Sequence, residues 1–578
     1  MKILICIFCI AGLMCGQESS DILMKAMKDE LERSKTLEIS SLDKPYFIEY
    51  TVEDVRAFSV AANLGGIVSQ NSNHHRVPRT RIRVGDYTFD NANYVFSDFG
   101  SSSSELPLDD NYAVLRRSFW LATDRAFKSG VEAITRKRAA LKNITQSESL
   151  PDFWKAASVQ KILPVRHANV AADAWTARVR SLSAVFSSYP EVLSSGVNFD
   201  SSDASFYLTN SEGSALRSPD SLCTIQIRAS GQAPDGMSVR DAAIMPALDE
   251  KSLPSEAELR KIAEQVGQRI KALSAAPAGE SYSGPVLFEG IAGPQILAEV
   301  LAPHLALTRR PVAEPGRPAP FLPSEFEGRI DARVLPEFMD LVDDPTQKVW
   351  NGTQLLGFYE FDYEGVVPAP LTLVEKGRLK NFLLTRQPVK GYQASNGRAR
   401  VPGAFGANAA AITNLFVRSS ESVSKDDLRA RFLKMIQDRN KPYGIIVRRM
   451  DFPTTAAQSE LRRMFMASAQ SGGGARPVSA PLHVYRVYPD GKEELIRGLS
   501  LRGLSVRTFR DIIAVSNDSV AFHYLNTLAP MSMGGTGYVA PTSVVGPSLL
   551  FEDLELERTQ EEMPRLPVVP PPPLTANR

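Results

Sequence analysis

Glu299 is the residue best placed to do chemistry in this chain, because it lies in a strand–turn–helix run, Gly284 to Leu305, GPVLFEGIAGPQILAEVLAPHL. Val286-Leu287-Phe288 reads as a short buried strand, with Gly290 and Gly293 as the turn. Pro294 suits the first turn of a helix that runs from about Gln295. On the exposed face of such a helix, a glutamate activates zinc-bound water when two histidines beside it hold the metal. Here the flanking places hold Ala298 and Pro303. His304 is one step further on, roughly 100° around an α-helix, and it follows a proline that disfavours regular continuation. Alanine and proline offer a metal no lone pair, so the run has the frame of a hydrolytic zinc helix without its ligands.

Other blocks surround this helix in a fixed order. Val342-Asp343-Asp344-Pro345-Thr346 precedes Gly352 and Gly357-Phe358-Tyr359-Glu360-Phe361-Asp362-Tyr363-Glu364-Gly365. Leu373 to Leu379, Leu383-Leu384-Thr385-Arg386, Ser395-Asn396-Gly397-Arg398-Ala399-Arg400 and Thr413-Asn414-Leu415 follow, and Ser543 to Leu550 closes the series. Together they resemble the TldD/PmbA family, a peptidase group once described as modulators of DNA gyrase. The resemblance is dense from about Gly284 to Leu556. Before that it is faint, carried by element order and the run Arg83 to Asp86.

The resemblance implies a metallopeptidase fold in which catalytic members bind zinc through His-Glu-x-x-x-His and a C-terminal cysteine. Carried over, the histidines fall on Ala298 and Pro303 and the glutamate on Glu299, while the cysteine has no counterpart. PmbA-type members also lack the histidine pair, and the resemblance implies that they partner a catalytic subunit. This chain is similar to that branch. It is expected to hold no zinc and to act as a non-catalytic peptide-binding or partner subunit, forming a homo- or hetero-oligomer with a TldD-like protein. The alternatives are an active metallopeptidase with a rearranged metal site and a structural envelope protein.

The weak catalytic candidates are Glu299 and His304, and a rescued metal site would need them to converge with Asp343 or Asp344. The plainer readings make Glu299 a solvated helix residue, His304 a loop residue among prolines, and Asp343-Asp344-Pro345-Thr346 a turn. For a peptide ligand the candidates are Asp362, Glu364, Asn396, Arg398 and Arg400, since an arginine holds a carboxylate in a two-pronged hydrogen bond. The competing reading is that one of these carboxylates pairs with one of the arginines and pins two segments of the domain together. His74-His75 reads as a loop doublet.

Composition bounds the function classes. With 66 basic and 65 acidic residues the net charge is +1, so no global field favours nucleic acid. Hydrophobic content of 43% is that of an ordinary globular protein. Lys2 followed by the apolar run Ile3 to Met14 is too short to span a bilayer and reads as a secretory signal, implying a periplasmic or secreted protein. Cys15-Gly16 offers small residues for cleavage, whereas Met14 is a poor neighbour for lipid attachment at Cys15. Of Cys6, Cys9, Cys15 and Cys223 only the last survives cleavage, so no intramolecular disulfide is expected, and Cys223 reads as a small buried hydrophobe.

The elements that must position these residues form segregated runs of helix and strand, which points to an α+β fold with an N-terminal helix-and-sheet region and a β-rich C-terminal domain. We divide the chain into a signal (1–16), an N-terminal α/β domain (17–107), a middle domain (108–280), the TldD/PmbA-like domain (281–556) and a Pro-rich disordered tail (557–578). Tyr46 to Val52 and Val55 to Leu64 read as two strands around a Glu53-Asp54 turn. Arg79, Arg81 and Arg83 alternate on one strand face, read as solvated. Helices are expected over Ser20 to Leu37, Asp109 to Leu141, Asp426 to Gln437 and Thr508 to Ile513, and after the capping-box pair Ser255 and Glu258. Phe358 to Asp362, Leu371 to Val374, Ile445 to Val447 and Leu482 to Tyr488 read as strands, and Gly472-Gly473-Gly474 as a linker.

Overall fold

A long β-hairpin organises the N-terminal half. β1 (Pro45–Asn63) and β2 (Gly66–Val84) pair antiparallel through a two-residue turn, Leu64-Gly65, with positive φ at both positions. The expected turn at Glu53-Asp54 is absent. Asp54 lies inside β1, and its carboxylate is held across the strand pair by His74 Nε2 at 2.7 Å and Arg76 Nε at 3.0 Å. His74 and His75 are therefore strand residues rather than a loop doublet. The structure, a computed structural model, describes residues 21–38, 42–95, 106–142, 150–165, 170–313, 321, 323–402, 407–451, 478–526, 540–559, 566–567 and 569. The signal segment 1–16 with Cys15, the triglycine 472–474 and most of the tail 557–578 lie outside the described residues.

β1 also pairs with β4 (Val192–Asn210), which carries β5 (Ala215–Pro219) along one end and β6 (Leu222–Gln232) along the other. β3 (Gln160–Ile162) and β7 (Ser238–Ala247) complete a seven-stranded sheet, with β7 bonded, among the described residues, only to β6. One sheet thus draws strands from both the 17–107 and the 108–280 segments. Helices α1 (Ile22–Ser34) and α2 (Tyr112–Leu141) pack one apolar cluster against it, and α3 (Ala172–Ala184) and α4 (Glu256–Ala275) a second. α4 opens with the full Ser255/Glu258 capping box and buries Leu259, Ala263, Val266, Ile270 and Leu273 along one stripe. Cys223 is buried in β6, and burial pushes its thiol up to about 12, so it is an inert packing residue.

The arginine face of β2 is not solvated. Arg81 Nη1 meets Glu49 at 2.9 Å, and Arg83 is buried with Nη1 2.6 Å from Asp90 and its guanidinium over the Phe153 ring. Alternation placed the three side chains together, but β2 gave no sign that another segment covers that face.

The C-terminal half contains two further sheets around one apolar core. The first takes β9 (Met339–Asp343), β12 (Leu371–Glu375), β13 (Arg378–Leu379), β16 (Asn414–Ser419), β22 (Val520–Asn526) and β23 (Ala540–Gly546), in the order β13-β12-β9-β16-β23-β22. The second takes β8 (Tyr282–Phe288), β17 (Gly444–Met450), β18 (Pro481–Val487), β19 (Glu493–Ile496), β20 (Leu499–Arg502) and β24 (Leu549–Arg558), with β21 (Ile512–Val515) beside β24. Two small hairpins, β10 (Val349–Trp350) with β11 (Thr353–Gln354) and β14 (Ala399–Pro402) with β15 (Asn408–Ala410), decorate them. Helix α5 (Ala292–Ile296) runs inside the shared core, while α6 (Lys425–Asp438) covers the outer face of the second sheet.

Segregated helices and mainly antiparallel strands make this an α+β fold. Phe358–Asp362 is irregular instead of extended, because Asp362 Oδ1 accepts the N–H groups of both Glu364 and Val366 at 2.9 Å and bends the chain. Thr508–Ile513 is a 3₁₀ turn, Val506–Asp511, that gives way to β21. Among the described residues no helix is long and apolar enough to cross a membrane.

Candidate functional site

β8 leads through Gly290, at φ 61°, into α5, and the helix then widens and tightens again. Leu297–Leu301 is a π-helical turn and Ala302–Leu305 a 3₁₀ turn. Pro303 has no N–H to give a regular ladder, so the hydrogen-bond spacing must change around it. The helix is buried nearly all round, where the sequence suggested an exposed catalytic face. Ala298 is packed at 4% exposure, so its position neither donates to a ligand nor opens to solvent.

Glu299 is not the solvated residue that the plain reading expected. Its Oε1 accepts the Ser479 N–H at 2.5 Å, and its Oε2 is buried with no hydrogen-bond partner among the described residues. Desolvation, with a smaller contribution from the Asp451 charge, raises the carboxyl to about 7 against the bonds from Ser479. His304 is also buried, and its Nδ1 accepts the Glu325 N–H at 3.0 Å. Asp343 is turned elsewhere, with Oδ2 2.8 Å from Arg398 Nε and Oδ1 accepting the Thr413 N–H at 2.8 Å. Asp344 accepts the Thr346 N–H at 3.0 Å, as the turn reading expects. Glu299, His304 and the two aspartates therefore do not converge.

The peptide-binding candidates sit together, but inside the domain. Asp362 takes a third backbone N–H, from Ala399, at 3.0 Å, and burial beside Glu364 raises its carboxyl. Glu364 accepts the Arg386 N–H at 2.7 Å and the Asn408 amide at 3.2 Å. Asn396 holds the Leu384 N–H at 2.9 Å and donates to the Phe382 carbonyl at 2.7 Å. Arg398 is fully buried against Asp343, and Arg400 lies over the Tyr359 and Tyr363 rings at 4.3 and 4.6 Å. The pinning pair is thus Asp343–Arg398, whereas Asp362 and Glu364 fix backbone.

A cleft of about 310 Å³ opens between the halves of the molecule. Its walls come from β7 (Ala242, Ile244, Met245), the β10–β11 hairpin (Thr353, Gln354), the end of β17 (Arg449, Met450, Asp451) and β22 (Phe522, His523, Tyr524). β7 and β22 are both terminal strands of their sheets, so two strand edges border one cavity. Gln295 of α5 reaches the cleft and bonds the Met450 backbone in both directions, at 3.2 and 3.1 Å. Glu299 lies one helical turn behind it, electrostatically coupled to the lining residues Asp451 and Tyr524. Burial lowers the pKa of His523, whose Nδ1 is 2.8 Å from Ser543 Oγ, and so favours its neutral ring. Sequence reading missed Arg449, His523 and Gln354. The alternating run Val520 to Tyr524 was the available signal for His523, and nothing local marked Gln354.

The site is thus a half-buried glutamate on a core helix, one turn behind a cleft between the two halves. Residues 284–558 match the PmbA/TldA metallopeptidase C-terminal domain, and this part of the chain belongs to the TldD/PmbA family. A metalloprotease of Archaeoglobus fulgidus is 36% identical over 78 residues, 14% of this chain and only 17% of that protein's length. TldE from Thermococcus kodakarensis superposes with a TM-score of 0.56 at 12% identity, covering 92% of this chain and 100% of its own. A protein described as a modulator of a DNA gyrase, from Thermotoga maritima, gives 0.55 at 13% identity over 88% and 96% of the two chains. At such identities the structural likeness speaks for the fold alone.

The zinc of catalytic relatives does not fit the donors found here. Ala298 and Pro303 carry no metal donor, and His304 spends Nδ1 on the Glu325 N–H. Among the described residues no three His, Cys, Asp or Glu side chains are grouped to hold a metal.

Proposed function

We propose that this chain is an exported, non-catalytic member of the TldD/PmbA family that binds peptide, or presents it to a catalytic TldD-like subunit in a homo- or hetero-oligomer. The carrying observation is that Ala298 and Pro303, on which the resemblance would place the zinc histidines, offer no metal donor beside Glu299. The cleft supports the binding half of the reading, because β7 and β22, each the last strand of its sheet among the described residues, offer edge donors and acceptors to an extended chain. Metal analysis and peptide titration of the purified chain test it together. We expect substoichiometric zinc with saturable peptide binding. Stoichiometric zinc, or no affinity for any extended peptide, would overturn the reading. Recovery of a relative bearing His-Glu-x-x-x-His on co-purification would support the partner role, and recovery of the chain alone would count against it.

A second reading has one observation in its favour. Glu299 carries a carboxyl near neutrality with one unpartnered oxygen, which is the poise of a general acid–base group. That oxygen is not on the cleft wall among the described residues, so an attacking water would need a route past Asp451 or Tyr524. Peptide hydrolysis that is lost in Glu299→Gln would establish this reading over the first.

A further inference from the structure

Arg449 is the unusual side chain of the cleft. Arg449 lines the cavity, and its guanidinium has no hydrogen bond or ion pair within 4.0 Å among the described residues. The acids near it are already engaged. Asp241 receives Arg269 at 3.0 Å and His483 at 2.9 Å, and Asp451 is paired with Arg240. Arg449 is half-buried and the Asp241 and Asp451 charges ease its desolvation, but no acceptor among the described residues takes its N–H groups, and a bound anion would supply one. A second group points to a ligand as well. The Gln354 Oε1 is buried, in a residue of the cleft wall, and has no hydrogen-bond partner among the described residues, so it has room for an N–H donor. Between these polar points the walls are apolar, from Ile244, Met245, Leu482 and Phe522.

One kind of molecule supplies an anion, an amide N–H and an apolar side chain within a cavity of this size: the end of a peptide. We propose that the cleft selects peptides by a free C-terminus, with Arg449 gripping the terminal carboxylate and Gln354 accepting an amide N–H. The inference rests on the cleft being a peptide site, but it adds a specificity that edge-strand pairing alone does not provide. A guanidinium can take both carboxylate oxygens in two parallel bonds, whereas a terminal amide offers it a single acceptor.

Fluorescence anisotropy with the full chain tests the assignment, using one labelled hexapeptide ending in leucine as the free acid and as the amide. The acid should bind about tenfold or more tightly than the amide. Arg449→Gln should erase that preference while leaving amide affinity within about twofold, and Arg449→Lys should retain part of it. Gln354→Leu should weaken both forms alike, which reads the second contact without touching the cation. Equal binding of acid and amide by the unaltered chain would overturn this inference and leave the peptide-site reading standing. A preference that persists in Arg449→Gln would overturn it too. Failure of both peptides to bind would remove the peptide site and this inference with it. Dodecanoate binding as tightly as the peptide acid would show that the carboxylate recognised is not a peptide's.

Discussion

The Ser479 N–H donates to Glu299 Oε1 at 2.5 Å, while Oε2 of the same carboxyl is buried without a partner among the described residues. A zinc-activated water would be the natural companion of that second oxygen in a catalytic relative. Here Ala298 and Pro303, on the same helix as this side chain, offer no metal donor. Its protonation state then follows from burial.

Glu299 should make the protein less stable as pH rises. The folded carboxyl keeps its proton to about 7, whereas in the unfolded chain it ionises near 4.5. Its contribution is therefore complete below the lower value and is lost between the two, by about 3 kcal/mol in all. Glu299→Gln mimics the protonated form and should remove this slope. Urea denaturation at about pH 5 and pH 8 would check it: the variant should match the parent at the lower pH and exceed it at the higher.

Arg398 and Asp343 should behave as a buried ion pair whose halves are worse apart than together. Both are fully buried, and Arg398 also donates to the carbonyls of Asn396, Asp343 and Ala369. Arg398→Leu strands a carboxylate in the core and should cost about 3–5 kcal/mol. The double variant Asp343→Asn with Arg398→Leu should recover part of that loss. Thermal unfolding of the three proteins decides it, and additive losses would show that the two residues act independently.

Much of the fold was legible in the sequence, for identifiable reasons. α2 and α4 announced themselves because their apolar stripes follow the helical period and their caps are standard. The Glu53-Asp54 turn failed because acidic residues also serve inside a strand when cross-strand polar partners meet them, as His74 and Arg76 do. Glu299 was placed on the right helix, but its burial depends on two sheets closing over that helix, which no local pattern reports. Arg449 was invisible for the same reason. It faces β7, some two hundred residues earlier in the chain, across a cleft that exists only once the sheets meet.

Gly293 should tolerate no side chain. A Cβ there would stand 2.2 Å from the Pro547 carbonyl oxygen, in the loop whose Ser548 Oγ accepts the Gly290 N–H at 2.9 Å. Gly293→Ala must push the start of α5 away from that loop, at about 1–3 kcal/mol or more. Gly290→Asn is the control. Gly290 has positive φ but open space around it, so asparagine should cost less than alanine does at position 293. A reversed order in the measured melting points would show that the α5 start does not depend on this close approach.

His483 should act as a clasp between the two halves that form the cleft. Its Nε2 lies 2.9 Å from Asp241 Oδ1, joining β18 to β7, while Arg269 of α4 takes the other oxygen. Burial opposes ionisation of Asp241, but the bond to His483 is the largest of the interactions that hold its carboxyl below the ordinary range. A depressed carboxyl contributes stability above its unfolded value of 3.8 and loses it as pH falls through the folded one. His483→Leu should therefore cost about 1.5–3 kcal/mol at neutral pH, with the gap to the parent narrowing in acid. Since β7 is also a cleft wall, the variant should bind peptide more weakly and be cut faster between the halves by a protease. Unchanged proteolysis at neutral pH, with unchanged stability, would mean that other contacts, such as Arg386 to the Trp154 carbonyl and Glu212, suffice to hold the halves together.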